Sequence, residues 1–181
     1  TGVYGDHDGA WVDETTPPAP DLDRSRKRLA AEEAWRATRL PLDIFRLAGI
    51  YGPGRSAIDQ VRAGRARRIV KPGQVFCRIH VADVANALEH AMVGRGGSLY
   101  NVCDDEPAPP QDVIAEAARL LGVEPPPETP FGEAALSPMA ASFYADNKRV
   151  ANTRLKDGLG VHLHYPDYRA GLAAILDGER P

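Results

Sequence analysis

The sequence predicts an α/β fold in which short, partly parallel strands alternate with helices. Short apolar segments such as 42–50 and 98–102 have the length and the Ile, Phe, Leu and Val content of buried strands. The segments between them carry apolar residues at helical spacing and have acidic residues or glycines at their ends. Alternation of these two patterns is typical of strands joined by right-handed helical crossovers. The length of 181 residues suits one compact domain with a buried core.

The first third of the chain divides into elements with identifiable boundaries. Asp21 and Asp23 precede a helix-forming stretch, where acidic side chains satisfy free N–H groups and complement the helix dipole. Pro41 ends this helix because the residue before a proline avoids helical geometry. The apolar stripe predicted on this helix consists of Leu29, Ala30, Ala34 and Ala37. In order, the elements are a strand end over 1–4, a stiff loop over 15–20, a helix over 24–40, a buried strand over 42–50 and a helix over 56–64.

Strands and helices continue to alternate in the rest of the chain. Asp83 is predicted to cap an amphipathic helix, and Gly122 is predicted to close the next helix. The elements are strands over 66–70 and 74–81, a helix over 83–92, a strand over 98–102, a helix over 110–122, a rigid connector over 123–130 and two final helices over 147–160 and 166–176.

Composition narrows the classes of function. The net charge of −3 gives no reason to expect a nucleic-acid partner, because such a partner would need a concentrated basic face. No apolar run approaches the roughly 20 residues of a membrane helix, so we expect no membrane association. Cys77 and Cys103 are isolated in apolar stretches, which favours two buried thiols in a reducing compartment over a disulfide. No Cys/His grouping suggests a metal site. The sequence therefore indicates a cytoplasmic protein.

Three groups of residues could carry chemistry, and each has a structural alternative. Gly49, Gly52 and Gly54 follow a predicted strand, but their spacing reverses the dinucleotide-binding fingerprint, which favours a plain turn over a phosphate cradle. The cations of 24–28 form either a solvated helix face or a site for an anion such as a cofactor phosphate. His80 either fixes a strand-to-helix turn as a buried residue or acts as an acid/base group.

Several segments, taken in order, resemble one known family. They are "VYG", an Ala-rich helix with "AAEE", "RLAGIYGPG", "RIHVADVANAL" and "YNVCDDEP". Together they resemble the extended short-chain dehydrogenase/reductases of the NAD-dependent epimerase/dehydratase superfamily, in its atypical, YeeZ-like group. The resemblance covers about 1–176 and implies the second half of a Rossmann-type parallel sheet with a small C-terminal, substrate-side α/β subdomain. It assigns residues 1–70 to the NAD(P)-binding domain and residues 71–181 to the substrate-side subdomain with returning Rossmann elements.

The resemblance also implies that part of the family's cofactor site precedes the segment matched here. In the family, the Gly-rich cofactor loop, the ribose-binding acid and the first four strands come before the position of Thr1. The catalytic Ser or Thr of the family would stand directly ahead of Thr1. We therefore expect these 181 residues by themselves to have little affinity for NAD or NADP.

One departure from the family concerns its catalytic Tyr-x-x-x-Lys pair. Alignment on "AAE" places Arg24 at the Tyr position and Arg28 at the Lys position. A guanidinium stays charged near neutral pH and cannot act as a general acid/base, so Arg24 cannot replace the phenol. Arg28 could still bind the nicotinamide ribose, as the Lys does in the family. Tyr4 is the candidate catalytic group, because its strand-end position faces the cleft in relatives.

Other candidate site residues come from the same resemblance. Ala48, Gly49 and Ile50 match the stretch whose backbone approaches the nicotinamide. Arg78 and His80 match the segment that lines the substrate side. In sugar-nucleotide epimerases an arginine of this segment grips the diphosphate, and Phe76 stands at its place here. Arg78, on the same strand face, could substitute for that arginine, but the change argues against a sugar-nucleotide substrate.

Three hypotheses about function follow. The first is an NAD(P)-dependent oxidoreductase or epimerase-like protein that acts on a small polar substrate with NAD or NADP. The second is a non-catalytic NAD(P)-binding sensor or regulatory protein, which would suit the loss of the Tyr/Lys pair. The third is a structural unit without a ligand. Relatives often dimerise through the Ala-rich helix, so the resemblance also leaves a homodimer open.

Overall fold

The computed structural model describes residues 1–94 and 96–178 and confirms the α/β architecture with parallel strands. The helices within these ranges are α1 Asp23–Ala37, α2 Ala57–Arg62, α3 Val81–Met92, α4 Pro110–Leu121, α5 Pro138–Ala141 and α6 Tyr168–Gly178. The strands are β1 Trp11–Val12, β2 Ile44–Leu47, β3 Gly49–Tyr51, β4 Arg68–Val70, β5 Arg78–His80, β6 Leu99–Val102, β7 Glu128–Pro130 and β8 Arg149–Val150. They associate in parallel pairs: β1 with β8, β2 with β6, β3 with β5 and β4 with β7.

The run predicted as one strand over 42–50 forms two strands that meet at Ala48. The Ala48 N–H donates to the Val102 carbonyl at 3.0 Å, which extends the β2–β6 pairing by one residue. The Gly49 N–H then donates to the Cys77 carbonyl at 3.1 Å, where the β3–β5 pairing begins. The backbone therefore passes from one strand pair to another at Ala48, and this junction positions the candidate site.

Local sequence accounts for the helices that were placed correctly. At the start of α2, Ser56 Oγ accepts from the Asp59 N–H at 3.4 Å, and the Asp59 carboxylate accepts from the Ser56 N–H at 2.7 Å. This reciprocal capping box satisfies two N–H groups that the helix itself leaves open. Gly122 ends α4 with a φ of 68°, a left-handed geometry that glycine adopts without strain.

The Ala-rich helix α1 forms as predicted, but most of its predicted apolar stripe is exposed. Leu29 is half-buried against the core, whereas the alanines at 30, 34 and 37 face solvent. An ion pair joins the helix to the strands: Arg46 on β2 donates to the two Glu32 carboxylate oxygens at 2.8 and 3.0 Å. The stripe prediction is wrong because helical spacing alone does not establish that a neighbouring element covers the alanines.

Two other predicted elements are wrong. Residues 1–4 do not end a strand; the backbone of Gly2–Tyr4 forms a 3-10 turn. The region 147–160 is not one helix, because it contains β8 followed by a single π-helical turn over Arg154–Gly158. β8 forms because its backbone pairs with β1, near the other end of the chain. Local spacing cannot reveal a partner so distant in sequence.

The connector predicted over 123–130 also ends in a strand, β7, which pairs with β4.

The apolar core has two parts. The first part includes Val12, Ala48, Ile79, Val102 and Leu155. The second part includes Tyr51, Ile58, Ile114, Tyr168 and Leu172. Each part draws side chains from both sides of residue 70. The division into 1–70 and 71–181 stays a prediction.

Candidate functional site

A cavity of about 1410 Å³ lies beside the junction at Ala48. Its wall is formed by residues of α1, β2, β3 and β5 and of the segment around α5. Five of the predicted site residues line it: Arg28, Ala48, Gly49, Ile50 and Arg78. These residues come from three separate segments of the sequence, and the fold brings them to one surface. This cavity is therefore the candidate functional site.

One side of the cavity combines α1 with the backbone of the strand junction. Arg28 is exposed on α1 and has no carboxylate partner in the part of the chain that the structure describes. Ala48 is buried, Ile50 is half-buried and Gly49 is exposed. Because Gly49 has no side chain, its peptide groups can be approached closely from the cavity. This side of the cavity therefore offers one cation without a carboxylate partner among the described residues and a backbone that a ligand can approach.

Arg78 lies deeper in the cavity wall. Its Nη1 donates to the carbonyl oxygens of Phe76 at 2.8 Å and Ala108 at 3.1 Å. Burial lowers the pKa of this guanidinium below its usual range, and the charge of Asp104 opposes that effect. Its other guanidinium nitrogens make no hydrogen bond within the described residues, so they are available to a ligand.

Tyr4 does not face the cavity, in contrast to the prediction. Its side chain is fully buried and its hydroxyl donates to Asn101 Oδ1 at 2.8 Å. The Arg46 guanidinium lies over the ring, 4.7 Å from its centroid. Burial raises the pKa of this phenol, which makes proton release harder. The 3-10 turn at the start of the chain directs this side chain into the core, a position that does not favour the acid/base role.

His80 is also outside the cavity wall. It is the N-cap of α3, where its Nδ1 accepts from the Ala82 N–H at 3.2 Å. Its ring packs against Tyr51 and Tyr165 at centroid distances of 5.2 and 4.2 Å. Burial lowers the pKa of His80, which favours the neutral ring that an N-cap acceptor requires. The geometry matches the structural alternative, a buried histidine at a strand-to-helix turn.

Asp83 does not cap α3, because His80 has that role. The buried Asp83 carboxylate instead accepts from the backbone N–H groups of His164 at 2.7 Å and Tyr165 at 3.0 Å. It therefore ties the start of α3 to a loop about 80 residues further along the chain.

Arg24, at the family's Tyr position, contacts a segment that sequence reasoning missed. Its Nη1 donates to Ser142 Oγ at 2.7 Å, and its guanidinium lies 4.5 Å from the centroid of the Phe143 ring. Both partners line the same cavity. The sequence did contain a signal for the start of α5, because Ser137 followed by a proline is typical of a helix N-terminus. In the structure the Ser137 hydroxyl accepts from the Ala140 N–H at 3.2 Å as the N-cap of α5.

Asp104, just after β6, is a buried carboxyl in an unfavourable environment. Its side chain is 1% exposed, and neither carboxyl oxygen makes a hydrogen bond of normal geometry to a described residue. Burial raises its pKa from 3.8 to about 8, although Arg78 and the Glu106 N–H partly favour the charged form. The folded protein therefore binds this proton more tightly than the unfolded chain does.

Between pH 5 and pH 8, we expect the free energy of unfolding of the wild type to fall by about 2 kcal/mol more than that of Asp104→Asn. The stability of the wild type should fall as pH rises from about 4 to about 8. In this range the unfolded chain has released the Asp104 proton, so folding must either take up that proton again or bury a charged carboxylate. Asn carries no titrating proton and should lack this slope. Urea unfolding of both proteins at a series of pH values measures the effect, and parallel stability curves would contradict it.

The described residues contain no group of three or more His, Cys, Asp or Glu side chains placed to hold a metal ion. Within the same residues, no helix combines the length and apolar character needed to cross a membrane. Cys77 and Cys103 are free thiols, and burial raises the pKa of each.

Comparison with known proteins identifies the family. No protein-family model matches the chain. Protein YeeZ from Escherichia coli K12 is 35% identical over 173 residues, which cover 92% of this chain and 57% of YeeZ. A solved protein of unknown function from Silicibacter pomeroyi is 58% identical with a TM-score of 0.95, over 98% of this chain and 64% of its own. A solved protein from Methylobacillus flagellatus, assigned to the NAD-dependent epimerase/dehydratases, is 31% identical with a TM-score of 0.73, over 100% of this chain and 62% of its own.

This chain spans somewhat less than two thirds of the length of each of these three proteins. Both the sequence similarity and the shared parallel-strand architecture extend over nearly all of its residues. The chain therefore belongs to the NAD-dependent epimerase/dehydratase family, within the atypical short-chain dehydrogenase/reductases.

Proposed function

We propose that the protein carrying this chain is an NAD(P)-dependent oxidoreductase or epimerase-like enzyme that acts on a small polar substrate. One observation carries the proposal: residues predicted from separate segments to contact nicotinamide and substrate line a single cavity. Proteins of the same fold add support. The human epimerase family protein SDR39U1 is solved with NADPH, and a dTDP-glucose 4,6-dehydratase from Bacillus anthracis is solved with NAD. A Streptomyces relative that is 29% identical is a 3-diazoavenalumate denitrifying reductase.

In this proposal, each side of the cavity has its own task. Arg28 donates hydrogen bonds to the nicotinamide ribose, as the family's Lys would. The backbone at Ala48, Gly49 and Ile50 lies against the nicotinamide ring and holds it for hydride transfer. Arg78 binds the substrate through the guanidinium nitrogens that the protein leaves open. NAD or NADP, when bound, supplies or accepts the hydride.

A second candidate function is a non-catalytic NAD(P)-binding sensor. The specific observation in its favour is Arg24, which stands at the Tyr position and is held by Ser142 and Phe143. A guanidinium cannot move a proton near neutral pH, so catalysis would require another acid/base group. A screen of candidate substrates for changes in nicotinamide absorbance separates the two functions. Turnover of any substrate supports the enzyme, and binding of NADH or NADPH without turnover across the screen supports the sensor.

We expect NADH or NADPH to bind the protein at its natural length and Arg28→Ala to weaken this binding about tenfold. Loss of one charge-assisted hydrogen bond corresponds to a change of roughly this size. The measurement is a titration followed by nicotinamide fluorescence. Arg26→Ala is the matched control, because Arg26 is an exposed arginine of the same helix that does not line the cavity. Absence of cofactor binding in the wild type would overturn both the enzyme and the sensor.

A further inference from the structure

Residues 136–143, which we call the strap, line one side of the cavity without entering the apolar core. The strap contains α5 and the start of the 3-10 turn that follows it, and six of its eight residues line the cavity. None of its residues is buried, and the apolar side chains of Met139 and Phe143 are 62% and 55% exposed. A segment with few buried apolar contacts opens locally at a low cost in free energy.

The residues on either side of the strap are fixed next to β4. Before the strap, the Ala135 carbonyl accepts from Arg67 Nη1 at 3.0 Å. After it, the buried Tyr144 ring packs against Phe76 with 5.3 Å between the ring centroids. The Tyr144 carbonyl also accepts from Lys71 Nζ at 2.5 Å. Arg67 directly precedes β4 and Lys71 directly follows it, so the strap runs between two fixed points on the same side of the cavity.

The middle of the strap is connected to α1 by Arg24. Arg24 Nη1 donates to Ser142 Oγ at 2.7 Å and lies 3.5 Å from Met139 Sδ. The Arg24 guanidinium also lies 4.5 Å from the centroid of the Phe143 ring. In the part of the chain that the structure describes, no other residue of α1 makes a hydrogen bond, an ion pair or a ring contact with the strap. Arg24 is therefore the polar link between two walls of the cavity.

This link suits a closure that opens and closes reversibly. Arg24 and Phe143 are both exposed, and cation–π contacts and charged hydrogen bonds at exposed sites stabilise a structure only weakly. Water can replace the hydrogen bond to the guanidinium when the contact breaks. Segments that cover binding sites share these properties, namely low local stability and a small number of closing contacts.

We propose that the strap is a lid on the cavity and that Arg24 is the latch that holds the lid against α1. When the contacts with Ser142 and Phe143 break, the strap moves away from α1 between its two fixed ends and widens the cavity. Arg24 thereby controls the rate at which a ligand enters and leaves. It has no part in proton transfer, which a guanidinium cannot perform near neutral pH. That the ligand passing this lid is NAD(P) or the substrate rests on the proposed function.

Limited digestion of the protein at its natural length with chymotrypsin, without ligand, tests the latch. Cleavage after Phe143 requires the strap to leave its contacts, so its rate reports the population of the open lid. We expect Arg24→Ala to raise this rate about fivefold. Ser142→Ala should raise it less, because the contact between the guanidinium and the ring remains. Arg26→Ala is the matched control, because Arg26 is an exposed arginine of α1 that donates to the Asp21 carbonyl and does not contact the strap.

Two further measurements separate the latch from a general loss of stability. Urea unfolding of each variant should give the wild-type midpoint, because Arg24 is exposed and contributes nothing to the core. In a Ser142→Ala background, Arg24→Ala should raise the cleavage rate by a smaller factor than in the wild type, since one of the two contacts is already lost.

Stopped-flow fluorescence with NADH tests whether the lid controls ligand exchange. A lid must open before a ligand enters and before it leaves, so Arg24→Ala should raise the association and dissociation rate constants together, each about fivefold. The Kd should then change by less than about threefold. A residue that only contacts the ligand changes mainly the dissociation rate constant and therefore the Kd, which is the result expected for Arg28→Ala.

Each outcome supports or overturns a distinct part of the inference. Equal cleavage of the wild type and of the Arg24→Ala and Ser142→Ala proteins overturns the latch, whether or not NADH binds. Faster cleavage with unchanged NADH rate constants overturns the control of ligand exchange. Faster cleavage with a joint rise of both rate constants supports the whole inference. Faster cleavage in a protein that does not bind NADH supports the latch and overturns the proposed function.

Discussion

Asp83→Ala is expected to lower the free energy of unfolding by about 3–5 kcal/mol, the largest effect of a single substitution that we predict. The buried carboxylate accepts two backbone hydrogen bonds, from His164 at 2.7 Å and from Tyr165 at 3.0 Å. Hydrogen bonds to a charged acceptor each contribute about 1.5–3 kcal/mol. Their removal leaves two N–H groups without their acceptor and loosens the loop at 164–165 from α3. Urea unfolding of the protein at its natural length measures the change.

The control for this prediction is Asp112→Ala. Asp112 also lies in the first turn of a helix, α4, but it is exposed, and its carboxylate accepts no hydrogen bond from a described residue. We expect a change within about 0.5 kcal/mol for this variant. Asp83→Asn should fall between the two, because the amide retains one acceptor oxygen. Equal stability of the Asp83→Ala and Asp112→Ala proteins would contradict the assigned role of Asp83.

Gly171→Ala is expected to destabilise the protein by about 3 kcal/mol, the upper range for an overpacked core. A Cβ atom at position 171 of α6 would lie 1.9 Å from the Tyr51 hydroxyl oxygen and 2.7 Å from its ring carbon. Tyr51 is buried and packs edge-on against His80, so moving its ring away from a new methyl group would disturb this packing. In a helix, alanine is otherwise more favourable than glycine by about 1 kcal/mol, so the expected destabilisation comes from the clash with Tyr51.

A double-mutant cycle checks this explanation. In a Tyr51→Leu background the clashing atoms are gone, so Gly171→Ala should have a much smaller effect there than in the wild type. Gly178→Ala, in the same helix and with no heavy atom of the described residues within 4 Å of the added Cβ, is the matched control and should be close to neutral. If Gly171→Ala destabilises both backgrounds equally, contact with Tyr51 is not the cause.

The candidate site was predictable in part, and the residues show why. The family resemblance located Ala48, Gly49 and Ile50 at the junction between β2 and β3, and it also located Arg28 and Arg78. All five line the cavity. Tyr4 and His80 were predicted from the same kind of evidence but point elsewhere, into the core and to a helix N-cap. A motif identifies which residues are near a site, whereas the direction of each side chain depends on the local backbone.

The sequence by itself determined the α/β class, most of the helices and the family resemblance. Those features depend on interactions within a few residues, such as the Ser56–Asp59 capping box and the left-handed Gly122, or on short motifs kept in order. Only the tertiary structure decided the pairing of β1 with β8, the role of Asp83 and the presence of Arg28, Gly49 and Arg78 in the lining of one cavity. Each of these brings together groups that are distant in sequence. Their energies come from burial and from charge, which are set by spatial neighbours that no local pattern specifies.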